Sequence, residues 1–285
     1  MKKVSVYLPC FNEEKHIEKC IKSVLRQTYP IEEILIIDDG CTDKTIEKAS
    51  KYGVKILTNK KNEGLAFSRN KGILKAKNEF VASIDSDVIL DKKWLENLMK
   101  EFTSKEISGA CGNLEEYYKK RTADLWRLIH MKQNWGEKKI INPKFLFGSN
   151  CVFRKSVVKK IGLYNIKYRT NYEDVDMSKR LKHQGHKLIY EPKAKASHLK
   201  SDSITSVLKS SWNWTLFSYN QPNNLWKFFL RLFTDMYKSL TYLLEDIINL
   251  RLKLIFLDLL IFPSHTLFNV RYYLKAKIFK IKYIN

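Results

Sequence analysis

Through the first 110 positions, acidic residues stand directly behind short apolar runs. VSVYL (4–8), ILIID (34–38), VKIL (54–57) and FVASID (80–85) are β-rich and nearly continuous in apolar character. Between them the apolar positions fall at helical spacing, as in Ile17, Cys20, Ile21, Val24 and Leu25. The pattern predicts helices over 13–28, 43–51, 65–76 and 91–102. Buried strands alternating with helices imply an α/β fold, a mostly parallel sheet flanked by helices on both faces. Such a sheet takes ligands outside the carboxyl ends of its strands. The residues with chemistry to offer are therefore Asp38 and Asp39 behind the second run, and Asp85 and Asp87 behind the fourth.

Acids at strand ends are costly as core residues and sensible as ligands or hydrogen-bond acceptors. Asp85 and Asp87, at i and i+2, can converge on one hard cation. Mg²⁺ or Mn²⁺ would take their oxygens and keep open positions for phosphate. A lone DxD is a weak signal, strengthened here by its place behind FVASI. No GxGxxG or GxxxxGK[ST] occurs, which disfavours a dinucleotide site and a Walker-type ATPase.

At 285 residues, 44% apolar and 29% charged, the chain can bury a sizeable core. The 52 Lys+Arg against 30 Asp+Glu leave +22, which favours anionic partners. A lysine-rich solvated surface accounts for that excess equally well. Five cysteines without a CxxC argue against a disulfide framework or zinc site and for a reducing compartment. The opening MKKVSVYLPCFNEE shows no export signal. Composition shifts near residue 204. Residues 225–262 are strongly apolar, yet polar residues recur every three to four positions, keeping one helical face polar. No stretch of about 20 residues is free of charge, so a transmembrane helix is not expected. From Leu199 onward there are twelve basic and five acidic residues, a basic amphipathic region. The expected organisation is an α/β domain over 1–203 and a basic helical extension over 204–285.

The ordered series VSVYLPCFNEE, IIDDGCTDKT, NEGLAFSRNKG, FVASIDSDV, FGSNCVFRK and YEDVDMSKRL resembles the family 2 glycosyltransferases of the GT-A fold. The likeness runs over about residues 3–200. It implies a Rossmann-like catalytic domain using a nucleotide-diphosphate sugar and Mn²⁺ or Mg²⁺, with inversion at the transferred sugar. It also implies nucleotide contacts from Pro9, Phe11, Glu13, Asp39, Asp43, Asn62, Gly64, Arg69 and Asp85. Asp87 would be the main metal ligand, with Asp85 and His198 beside it. Gly148, Ser149, Asn150 and Glu173 would line the sugar or acceptor side, and Asp174 would be the general base. Cys41 and Phe11 stand where the family usually has Ser and Tyr, so the base is left open. The processive QxxRW is missing, SSWNW standing at 210–214, which points to single addition.

Blander readings accompany several of these. Asp43 suits a helix N-cap before KTIEKA. Arg69 suits a solvated helix charge, Gly64 a helix-start glycine, and a lone His198 an ordinary surface residue. YEDVDMSKRL reads as a helix with acids first and bases last. The leading function is transfer of one sugar to a hydroxyl acceptor, a glycan, glycolipid or polyprenyl-linked sugar, in cell-surface polysaccharide or glycolipid assembly. The enzyme would be cytoplasmic and peripheral at the inner face of the cell membrane, on anionic lipid. The competing reading is a basic module that binds nucleic acid or a membrane surface through a degenerate nucleotide site. No recognised nucleic-acid motif appears, so nucleic acid is not an expected partner.

Overall fold

The structure, a computed structural model, describes residues 1–169, 171–218 and 221–279. These form two compact units. The first comprises Met1–Tyr117 and Gln133–Leu199; the second comprises Tyr118–Lys132 and Lys200 onward. The stretch 118–132, which the sequence reading includes in the α/β domain, packs with the second unit instead. Its helix turns Ala123 and Trp126 into an apolar cluster with Val207, Leu257 and Ile261.

In the first unit the strands are β1 (Val4–Cys10), β2 (Glu33–Asp38), β3 (Lys55–Thr58), β4 (Phe80–Ile84), β5 (Val88–Leu90), β6 (Ile107–Glu116), β7 (Ile140–Ile141), β8 (Asn150–Arg154) and β9 (Lys187–His198). The helices here are α1 (Ile17–Leu25), α2 (Thr45–Ser50), α3 (Leu65–Lys75), α4 (Trp94–Glu101), α6 (Lys155–Lys160) and α7 (Glu173–His183), α5 (Thr122–His130) belonging to the second unit. The four expected strands are present, as are helices within each expected helical stretch. The strands lie in the order β3-β2-β1-β4-β8-β6-β9-β5, with β7 on β9. β3, β2, β1 and β4 are parallel. Beyond them the sheet is mixed, because β8 runs antiparallel to both β4 and β6. Apolar residues from both faces form two cores, one around Leu8, Ile36 and Trp94 and one around Tyr7, Ile37 and Tyr190. Burial on both faces explains the continuous apolar runs.

Register brings the site together. Cys10 pairs with Asp38 and Asp38 with Thr58, so β1, β2 and β3 end at one edge. Ile84 faces Asn150, which sets Ser149 beside Asp85. Glu116 and Val88 both face His198, which places Asp87 and Glu116 on either side of that histidine.

The second unit consists of α5, α8 (Ile204–Leu216), α9 (Leu225–Ile248) and α10 (Leu252–Phe279). Ser203 caps α8 through a reciprocal pair of hydrogen bonds with Ser206, and the Asn224 side chain caps α9. Among the described residues, one helix, Leu252–Ile278, is long and apolar enough to cross a membrane by length and composition. The sequence expectation differed because it counted Asp258 against a span. That carboxylate is fully buried and accepts from Trp126 Nε1 at 2.8 Å.

Candidate active site

The centre of the site is Arg69, carried on the inner face of α3 and 2% exposed. Its Nη2 donates to Asp85 Oδ1 at 2.7 Å and its Nη1 to Glu173 Oε1 at 2.5 Å. One buried cation thus bridges the acid behind β4 and the acid that opens α7. The two carboxylates outweigh the cost of burial and hold the guanidinium's pKa well above its ordinary value. Arg69 is therefore not the solvated helix charge of the bland reading.

Gly148 lies against the same guanidinium. A Cβ there would sit 2.2 Å from Arg69 Nη1, so no other residue fits without displacing the arginine. The Gly148 N–H donates to Asp174 Oδ2 at 3.1 Å, and Val175 N–H donates to Asp174 Oδ1 at 2.8 Å. Tyr172, just before α7, has φ 77, a left-handed conformation that costs a non-glycine residue about 1–3 kcal/mol. That turn starts α7 at the site. Burial pushes the carboxyls of both Glu173 and Asp174 up, Arg69 pulls both back down, and Asp85 adds to the upward push. The acids-first, bases-last helix pattern is present too, with Arg180 and Lys182 in the last turn.

Asp87 Oδ2 lies 3.1 Å from His198 Nε2, and His198 Nδ1 lies 2.9 Å from Glu116 Oε2. Burial alone would lower the imidazole's pKa, but the two carboxylates outweigh it and raise it to about 10. A divalent ion fits this corner. The donors are hard oxygen and imidazole nitrogen, and the second ring nitrogen is held by a carboxylate, as metal-bound histidines usually are. Asp85 is turned toward Arg69, so it does not converge with Asp87 and His198 on a single point. Among the described residues, the group whose ligand atoms all lie within 4.8 Å of one another is instead His130, Asp246 and Asp258, in the second unit.

The residues expected at the nucleotide are divided. Pro9 is buried in β1, opposite Ile37, while Phe11 is 47% exposed at the strand edge. Glu13 accepts from His16 at 2.8 Å, and its N–H donates to Thr45 Oγ1. Asp39 is buried and accepts from Asn59 Nδ2 and from the N–H groups of Glu63 and Gly64. Its oxygens thus hold the 59–64 loop in shape. Asp43 accepts from Thr45 N–H and Oγ1 and from Glu14 N–H, which keeps its pKa low and matches the helix-start reading. Gly64, with φ +95, is the N-cap of α3, the helix-start role of the bland reading. Asn62 accepts from Arg169 Nη2 at 2.9 Å.

On the opposite side, Ser149 donates to Gln133 Oε1 at 3.3 Å, and its carbonyl accepts from Asp85 N–H. The Asn150 side chain points inward, accepting from Gly112 N–H at 2.8 Å. It braces β8 against β6. Sequence reasoning missed Glu116 and Arg169. Glu116 is found only through the β6–β9 register, and Arg169 only through the approach of its loop to Gly64.

Solved structures share this architecture. The mannosyltransferase PcManGT from Pyrobaculum calidifontis, in complex with GDP-Man and Mn²⁺, superimposes with a TM-score of 0.58 at 17% identity, over 74% of this chain and 61% of that one. TarS of S. aureus gives 0.57 at 18% identity, over 74% and 39%. The fold is thus of the GT-A type. Residues 5–162 match the model of glycosyl transferase family 2, and the chain belongs to that family. Glycosyltransferase GlyG of Streptococcus pneumoniae is 32% identical over 119 residues, 40% of each chain. The poly-beta-1,6-N-acetyl-D-glucosamine synthase of Staphylococcus epidermidis is 28% identical over 223 residues, 74% of this chain and 53% of the relative. The chain therefore matches about half the length of these curated relatives, or less.

Proposed function

We propose that the protein is a metal-dependent, inverting glycosyltransferase that moves one sugar from a nucleotide-diphosphate sugar to a hydroxyl acceptor. The observation that carries this reading is the Arg69 bridge between Asp85 and Glu173, with Asp174 held beside it on Gly148. In this reading it joins a donor-side acid, Asp85, to the acidic pair on the acceptor side through one buried charge.

In this reading Asp174 is the general base. Its partners are backbone N–H groups, which orient the carboxylate without supplying a side-chain proton. Its raised pKa suits a group that takes a proton from the acceptor hydroxyl as the new bond forms. Attack from the Asp174 side, opposite the departing diphosphate, gives inversion. Asp87 and His198 would hold Mn²⁺ or Mg²⁺, with Asp85 alongside. The ion would supply Lewis-acid neutralisation of the diphosphate. Phe11, at the exposed edge, would face the nucleotide base in this reading. Asp39, Asp43, Asn62 and Gly64 keep the surrounding loops in shape.

The sugars differ among the similar proteins: PcManGT binds GDP-Man, and the S. epidermidis synthase is named for N-acetylglucosamine. The acceptor class we propose is a glycan, glycolipid or polyprenyl-linked sugar in cell-surface assembly. The basic excess supports work on the anionic inner face of the cell membrane. Calorimetric titration with UDP, GDP, CDP and dTDP, each with and without Mn²⁺, tests the donor site. One nucleotide should bind in a metal-dependent way and lose that binding in Asp87→Ala. Binding of none of the four would sink the proposal.

A further inference from the structure

Within the helical unit, α9 has inverted polarity. Every buried residue of α9 is polar: Arg231, Asp235, Ser239 and Asp246. Arg231 donates to Asp235 at 2.9 Å and to the Thr215 carbonyl at 2.6 Å. Asn269 of α10 donates to Asp235 at 2.7 Å and accepts from Trp212 Nε1 at 2.8 Å. His130 and Arg251 both meet Asp246. Apart from Arg251, whose side chain is 31% exposed, these ionic and amide groups are buried among α5, α8, α9 and α10.

The outward faces carry the opposite chemistry. On α9 they present Trp226 (76% exposed), Phe229, Phe233, Tyr237, Leu240 and Leu244, spaced three to four apart over a helix about 36 Å long. On α10, Phe256, Leu259, Leu267, Val270 and Leu274 continue the same pattern. Soluble helices place such stripes inward. Turning the ion pairs in and the aromatic and aliphatic side chains out lowers free energy only where the outside is itself apolar. An exposed apolar face of this extent marks a contact surface.

The geometry points to the acyl-chain region of an anionic lipid leaflet as the occupant, with α9 and α10 lying in its plane. Charge favours lipid over a second copy of the chain. The region from Leu199 carries twelve basic and five acidic residues, and Lys253, Arg271 and Lys275 lie exposed on α10. Lysine and arginine beside an apolar stripe reach headgroup phosphates while their stems stay in hydrocarbon. Such a layer would repel a copy of itself. Lying in plane is favoured over spanning because the inward face of α9 is committed to polar partners, and that of α10 holds Asp258, His265 and Asn269 among its apolar residues. This builds on the membrane-surface reading above and replaces purely electrostatic attachment with insertion.

The test is sedimentation of the full chain with phosphatidylglycerol-containing and phosphatidylcholine vesicles, followed by a wash in about 1 M salt, where the screening length is about 3 Å. Insertion predicts that most protein pellets with anionic vesicles and stays through the wash. The combined variant Phe233→Lys, Leu240→Lys and Leu244→Lys changes exposed positions only. It should keep its helical circular dichroism and lose about tenfold or more of the salt-resistant fraction. Acyl-brominated lipid should quench emission that Trp226→Phe removes. Full release by salt overturns insertion but leaves surface attraction standing. No pelleting with either vesicle overturns both, as does a detergent-free dimer that ignores lipid. Unchanged salt resistance in the lysine variant also overturns insertion. The nucleotide titration reads the glycosyltransferase assignment separately.

Discussion

Gly148 and Arg69 occupy adjoining space so fully that a single added carbon on Gly148 would lie 2.2 Å from the guanidinium. The Gly148→Ala enzyme should therefore fold but hold Arg69 out of line with Asp85 and Glu173. Misplacing a catalytic constellation by about 1 Å can cost 10²-fold. We expect kcat to fall by about that factor, with far-ultraviolet circular dichroism unchanged. Wild-type turnover in Gly148→Ala would show that the bridge is not needed.

Removing the bridge itself should cost stability as well as turnover. Arg69→Met leaves Asp85 and Glu173 without their shared cation, and breaking a buried ion pair from one side costs about 3–5 kcal/mol. The double variant Arg69→Met, Glu173→Gln removes the more deeply buried of the two stranded charges and should recover part of that loss without restoring activity. Denaturant unfolding of both variants measures the difference.

Transfer should depend on pH through Asp174. A general base works only when ionised, so kcat falls as pH drops through its pKa. Burial raises that pKa above the ordinary aspartate value, which moves the acid limb of the profile to higher pH than a solvent-exposed aspartate would give. Asp174→Asn should keep nucleotide binding and show no transfer at any pH. An active asparagine variant would remove Asp174 from the base role.

The Glu116 carboxylate holds the ring nitrogen of His198 that faces away from Asp87. Glu116→Gln should weaken Mn²⁺ activation by about 10–100-fold, the usual effect of losing a carboxylate behind a metal-bound histidine. Excess Mn²⁺ should restore the rate. A variant whose rate is low at every Mn²⁺ concentration would point to a structural role for Glu116 instead.

The strands ending at the site were legible because burial on both faces leaves an unbroken apolar run, with its acid at the end. The DxD acids were visible for the same local reason, whereas the acidic pair of α7 was read from the family resemblance. The division of labour among the acids was not. Asp39 looks as free as Asp87 in sequence, and only the fold shows its oxygens taken by Asn59, Glu63 and Gly64. The Arg69 bridge joins residues 104 positions apart, and local pattern carries no such information. The inverted helix α9 misled for a related reason. Its polar residues recur at the spacing of a solvated face, and periodicity cannot say which side water is on.

The strand β9 carries a final consequence. It pairs with β6 on one side and β5 on the other, and its last residue, His198, closes the corner containing Asp87. During synthesis the parallel half, β1 to β4, is complete more than a hundred residues before that histidine emerges. A ribosome-bound chain can therefore form early the edge where β1, β2 and β3 end, while the corner of Asp87 and His198 stays open. Under the metal role proposed for His198, a chain that stops short of residue 198 keeps most of its core and loses turnover.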